Sequence, residues 1–224
     1  MSIKIISIID PDVLAIPIQE CGEAMVDLKE QKTILLGESP EIPNNQDYTK
    51  VRVAIYEKLL AAQKNLPSPL RFCLYEGYRS LQLQKHLFNQ RYYILKQDYP
   101  DWEHPQIFHE TIKLVSPVIN LDGSTNTPPH TTGAAIDIYL VDEQGEIVDM
   151  GIRVADWMQD KDGSLSLTDS VKISDAAKQY RLIMSDVLKQ IGFVNYPGEY
   201  WHWSYGDRYW AYQCGKPFAL YGAV

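Results

Sequence analysis

Apolar positions along the chain fall into short alternating runs and longer runs of helical period, separated by turn formers. From Ala135 to Val141 the letters alternate, so that Ile136, Ile138 and Leu140 share one side of a strand while Ala135, Asp137, Tyr139 and Val141 share the other. Arg71-Phe-Cys-Leu-Tyr-Glu76 alternates too and is bounded by Pro69 and Gly77, which predicts a second strand. Helical spacing appears at Val51, Ala54, Ile55, Leu59 and Ala62 and stops at Asn65-Leu66-Pro67. It recurs at Leu83, Leu87 and Phe88 after Tyr78-Arg79-Ser80, and at Ile107, Phe108, Ile112 and Val115 after the break Pro100 to Pro105. The clearest helix starts at Ser174-Asp175, carries Ala177, Tyr180, Ile183, Met184, Val187, Leu188 and Ile191, and stops at Gly192.

Shorter extended pieces are predicted at Ile3 to Ile9, Phe193-Val194 and Tyr200 to Tyr205. Asp142-Glu-Gln-Gly145, followed by Glu146 to Met150, predicts a hairpin with glycine where the backbone needs a positive φ. Loops rich in turn formers lie at Glu38 to Asn45, Asn120 to Pro129 and from Asp160 onward, and residues 1–49 are the least legible part. Helices before and between hairpin-joined strands predict an α+β fold, a mainly antiparallel sheet with helices packed against it. A single domain over residues 1–224 fits this length.

Composition narrows the function. Hydrophobic residues at 45% and charged residues at 22% describe a globular chain, and a net charge of -8 without a Lys/Arg run argues against a nucleic-acid partner. The N-terminal apolar run is too short for a secretory signal, and no stretch approaches the ~20 apolar residues of a membrane span, so a cytoplasmic protein with no membrane partner is expected. Cys21, Cys73 and Cys214 have neither disulfide-framework nor CxxC spacing. A metal site here must therefore draw on histidine and carboxylate.

Asp137 interrupts an apolar strand, where an unpaired carboxylate is costly, and a cation is the obvious partner. His130 leaves the preceding loop seven residues earlier, and Gly133-Ala134-Ala135 between them allows close approach. Glu199-Tyr-Trp-His202 follows Pro197-Gly198 in an aromatic stretch suited to flooring a pocket. Glu199 and His202 would point apart on a regular strand, so a shared site requires Glu199 in the turn before it or at a bulge. His86, His104 and His109 need no explanation beyond a helix face or loop.

If His130, Asp137 and His202 share a metal, two imidazoles and a carboxylate suit zinc with an open fourth position, and zinc lowers the pKa of water to about 7. Glu199 could then move the water's proton to a leaving amine, and Arg79, at a strand-to-helix turn, could stabilise an oxyanion. These residues alone are equally compatible with a structural His/Asp hydrogen-bond network. No G-x-S-x-G, P-loop or G-x-G-x-x-G is present.

Four motifs in order, Glu76-Gly-Tyr-Arg79-Ser80, His130-x-x-Gly133-x-Ala135-x-Asp137, Met150-Gly151 and Glu199-Tyr-Trp-His202, resemble the zinc D-alanyl-D-alanine dipeptidases of the VanX type. The resemblance covers about residues 70–212. It implies one Zn2+ per chain held by His130, Asp137 and His202, Glu199 as general base and acid, and Arg79 as a transition-state stabiliser. It also implies the wider D,D-peptidase and hedgehog-like fold and a small D,D-dipeptide substrate such as D-Ala-D-Ala. Pro128 stands where the family often has serine, two residues before the first histidine, so a polar contact to substrate differs here. The competing expectations are a D,D- or L,D-carboxypeptidase or endopeptidase acting on cell-wall peptides, and a catalytically silent zinc-binding module on the same fold.

Overall fold

The sheet that carries the candidate residues has five strands in the order β2 (Leu35–Leu36), β4 (Arg71–Glu76), β5 (Ala135–Val141), β7 (His202–Ser204) and β6 (Val194–Asn195). In this computed structural model, which describes residues 5–38, 40 and 45–224, β2 runs parallel to β4 and every other neighbouring pair is antiparallel. A separate antiparallel pair joins β1 (Met25–Asp27) to β3 (Lys50–Arg52). The helices are α1 (Pro11–Leu14), α2 (Val53–Asn65), α3 (Leu81–Asp98), α4 (His104–Thr111), α5 (Asp175–Gln190) and α6 (Arg208–Gln213). The class is α+β.

β4 and β5 span the residues their alternation predicts. Ile136, Ile138 and Leu140 are fully buried in one core with Ile55 and Leu59 of α2 and Met184 and Leu188 of α5. Two predicted helix starts are confirmed by their caps: the Ser80 hydroxyl accepts from the Leu83 N–H at 3.2 Å, and the Ser174 hydroxyl from the Ala177 N–H at 3.1 Å.

Elsewhere the elements differ from their sequence-based expectations. Val51 lies in β3, so α2 begins two residues later, directly after Arg52. α4 stops at Thr111, whose hydroxyl bonds back to the Ile107 carbonyl at 2.8 Å, and Ile112 to Leu114 form a turn. The hairpin turn is present, with Gly145 at φ 84°, but its second arm makes only a single bridge, Val141 to Ile147. Residues 5–9 form coil and turn rather than a strand, because Ile6 and Ile8 pack against Val13, Tyr196 and Tyr209 instead of pairing their backbones. The Ile3-Lys4 part of that expected strand, and most of the Glu38 to Asn45 loop, lie outside the described residues.

Behind the sheet, the buried Arg181 of α5 gathers a long connection. Its guanidinium donates to the carbonyls of Met150 (2.8 Å), Leu165 (2.9 Å) and Leu167, and its Cζ lies 3.9 Å from the centre of the Tyr200 ring. The Tyr200 hydroxyl in turn donates to the Ile152 carbonyl at 2.7 Å. One cation thus fixes residues 150–167 to the turn that bears Glu199.

Candidate metal centre and active site

His130 sits in a 3-10 turn, Pro129–Thr132, that ends at Gly133 with φ 70°. A Cβ at Gly133 would fall 2.4 Å from Met25 Sδ, so both the left-handed backbone and the space require glycine. The turn is stitched to the β4–α3 connection at two points. His130 Nδ1 lies 2.8 Å from the Gly77 carbonyl, and the Arg79 N–H donates to the His130 carbonyl at 3.2 Å. Because a carbonyl only accepts, Nδ1 carries the proton and Nε2 presents its lone pair inward.

Asp137, at the middle of β5, pairs with His202 of β7 on one side and Glu76 of β4 on the other. The register places a carboxylate and an imidazole side by side, facing away from the isoleucine core. His130 Nε2 lies 3.3 Å from Asp137 Oδ1, His202 Nδ1 lies 3.1 Å from the same oxygen, and the two ring nitrogens are 3.2 Å apart. All three side chains are buried. Ligands at about 2.0–2.1 Å from a tetrahedral ion are separated by about 3.3 Å along each edge, so this triangle fits one face of a zinc site. The donor set fits as well, being two imidazoles and one carboxylate.

Burial by itself raises the Asp137 pKa, but the facing His130 and His202 outweigh it and hold the carboxylate well below its usual range. Glu199 is shifted the opposite way. Burial, and then the negative charge of Asp137, push its carboxyl well above the ordinary value, against the pull of His130, Arg79 and a Trp201 hydrogen bond. Two carboxyl groups whose affinities for a proton are driven apart in one cavity are suited to separate roles, one as a permanent anion and one as a proton carrier.

Glu199 reaches this cavity because it lies in the turn before β7. Its carbonyl accepts from the His202 N–H at 3.2 Å, and Asn195 Nδ2 donates at 3.0 Å to the carbonyls of both Glu199 and His202. Glu199 Oε2 is then 3.8 Å from His202 Nδ1. Gly198 serves by close approach, since a Cβ there would meet the Tyr196 ring at 2.5 Å. The predicted strand accordingly starts at His202 rather than Tyr200.

Arg79 also lines the cavity. Its Nε and Nη2 donate to Glu76 Oε2, and its Nη1 donates to Gln84 Oε1 at 3.0 Å. The structure therefore brings together all five residues singled out from the sequence. It adds others to which the sequence assigned no role: Glu76, quoted only as part of a motif, and Gln84 around Arg79, Tyr196 and Trp157 in the wall, and Ile8 and Ile9 from the illegible N-terminal stretch. The signal for Glu76 was a carboxylate at the end of a strand whose four interior positions, Phe72 to Tyr75, are apolar.

Residues 44–217 match the Peptidase_M15 family, D-ala-D-ala dipeptidase. The chain belongs to this M15 family. Two curated relatives carry the name D-alanyl-D-alanine dipeptidase. The one from Synechocystis sp. is 27% identical over 240 residues, 94% of this chain and 96% of its own length. The one from Escherichia coli is 30% identical over 135 residues, 60% of this chain and 55% of its own length. Among solved structures, VanYB in complex with D-Alanine-D-Alanine matches 92% of this chain and 93% of its own at 16% identity and a TM-score of 0.37. As an M15 member the chain is a peptide hydrolase. No helix among its described residues is long and apolar enough to cross a membrane.

Proposed function

We propose that this M15 member is a zinc dipeptidase that hydrolyses D-Ala-D-Ala or a similar small D,D-dipeptide, and that residues 1–224 act as one peptidase domain. The observation that carries the proposal is the buried triangle of His130 Nε2, Asp137 Oδ1 and His202 Nδ1, with edges of 3.1–3.3 Å, beside the protonatable Glu199. In this reading His130, Asp137 and His202 hold one Zn2+, which when bound supplies a Lewis acid and an activated water. Glu199 accepts the water's proton and delivers it to the amine leaving group. Arg79 presents its guanidinium to the oxygen on which charge develops. The apolar wall, including Val154, Trp157 and Trp201, excludes bulk water and strengthens both contacts.

The names of the two curated relatives and the family description support a free dipeptide as substrate. The test is a panel of D- and L-configured dipeptides beside a pentapeptide precursor, with metal analysis of the same sample. Stoichiometric zinc and cleavage of D,D-dipeptides in preference to the pentapeptide are expected. Preferred cleavage of the pentapeptide's terminal residue would replace the dipeptidase reading with a carboxypeptidase one. Intact zinc with no turnover of any substrate would leave a silent binding module.

A further inference from the structure

Glu76 has no part in the scheme above, yet its placement is the most constrained around Arg79. It ends β4, is fully buried, and stands opposite Asp137 in the ladder after a register shift between Leu74 and Glu76. Among the described residues, both hydrogen bonds to its carboxylate come from one guanidinium. Arg79 Nε and Nη2 converge on Oε2, while Oε1 is buried without a partner. A carboxylate at such a position is costly unless it is balanced, and the charge that balances Glu76 is the Arg79 guanidinium.

The geometry has a further effect. The side chain that fixes Arg79 is anchored directly opposite Asp137 in the ladder, so the cation and the candidate metal ligand are registered through a single pair of strands. An arginine alone has many rotamers of similar energy. Two bonds to one oxygen fix the edge of the guanidinium that points back into the protein and so fix the edge presented to the cavity.

We infer that Glu76 is a positioning residue for the reaction, acting through Arg79 to hold the guanidinium at the site of the developing oxyanion. The inference rests on the role proposed for Arg79.

The test is a double-mutant cycle between Glu76→Gln and Arg79→Ala, each protein being checked for zinc content and thermal midpoint. Glu76→Gln preserves shape and removes the charge that orients Arg79. It is expected to lower kcat by about 100-fold, the cost of misplacing a catalytic group by about an ångström, with KM and zinc content little changed. In the Arg79→Ala background the same change is expected to have no further effect on kcat. Glu76→Asp, which retains the charge on a shorter side chain, is expected to recover part of the loss. Turnover of Glu76→Gln at the unsubstituted rate would overturn the inference. So would an equal loss in the Arg79→Ala background, which would mark Glu76 as merely structural. Unimpaired turnover by Arg79→Ala alone would remove the role of Arg79 itself and the positioning role with it, a result distinct from either of those.

Discussion

Replacing Arg181 by methionine keeps an unbranched apolar stem, two atoms shorter, and removes the charge that ties residues 150–167 to the Glu199 turn. Three hydrogen bonds from a charged donor to one buried and two half-buried carbonyls contribute about 1.5 kcal/mol each, and the stacking over the buried Tyr200 adds about 2 kcal/mol. Against this stands the cost of burying the cation. Burial lowers the Arg181 pKa to about 10, which keeps it charged at neutral pH but corresponds to a penalty of about 3 kcal/mol that methionine escapes. The net loss is about 4 kcal/mol, the size found when one side of a buried polar network is removed. Urea unfolding followed by tryptophan fluorescence measures it. With a slope of about 2 kcal/mol per molar, the midpoint should fall by about 2 M. A fall of less than about 0.5 M would refute the reasoning, because it would mean that the three carbonyls find other partners as readily. Turnover should fall with stability, since Tyr200 adjoins Glu199.

Glu199→Gln should keep its zinc and lose about 100- to 10,000-fold in kcat, measured by amine release from the dipeptide, whereas His202→Ala should lose both metal and turnover. Gly133→Ala should destabilise the fold by about 1–3 kcal/mol in the same urea assay, because alanine must take φ 70° and displace Met25. Dialysis against a chelator should abolish activity and lower the thermal midpoint, since three inward-facing acceptor atoms are left together without the ion. Added Zn2+ should restore both.

The parts of the fold legible from sequence are those decided locally. Alternation flanked by turn formers delimits β4 and β5, and serine caps with an uninterrupted apolar period delimit the start of α3 and the whole of α5. Ile5 to Ile9 fails as a strand because its partners, Tyr196 and Tyr209, are nearly 200 residues away in sequence and supply packing rather than a ladder. The strand expected at Tyr200 starts at His202 because the preceding turn holds Glu199, which the odd spacing of the pair had already required. The His130 and Asp137 pairing was legible since one loop and its strand carry both. The support around Arg79 was not, because a glutamate next to a glycine turn looks the same in sequence whether it faces solvent or, as Glu76 does, a guanidinium in the core.

The position of β5 also bears on the order in which the chain folds. Its neighbours come from opposite directions in sequence: β4 ends 59 residues before Ala135, and β7 begins 61 residues after Val141. A chain emerging from the ribosome can pair β4 with β5 and bring His130 beside Asp137 while His202 is still unmade. The two early residues then offer only two of the three proposed ligands, and the residue proposed to move the proton arrives on the same late segment as His202. Pairing across such separations is slow compared with forming helices. On the proposed scheme, competence to cut a peptide bond is thereby deferred until the last strand docks, and docking of that strand and capture of the ion become a single event.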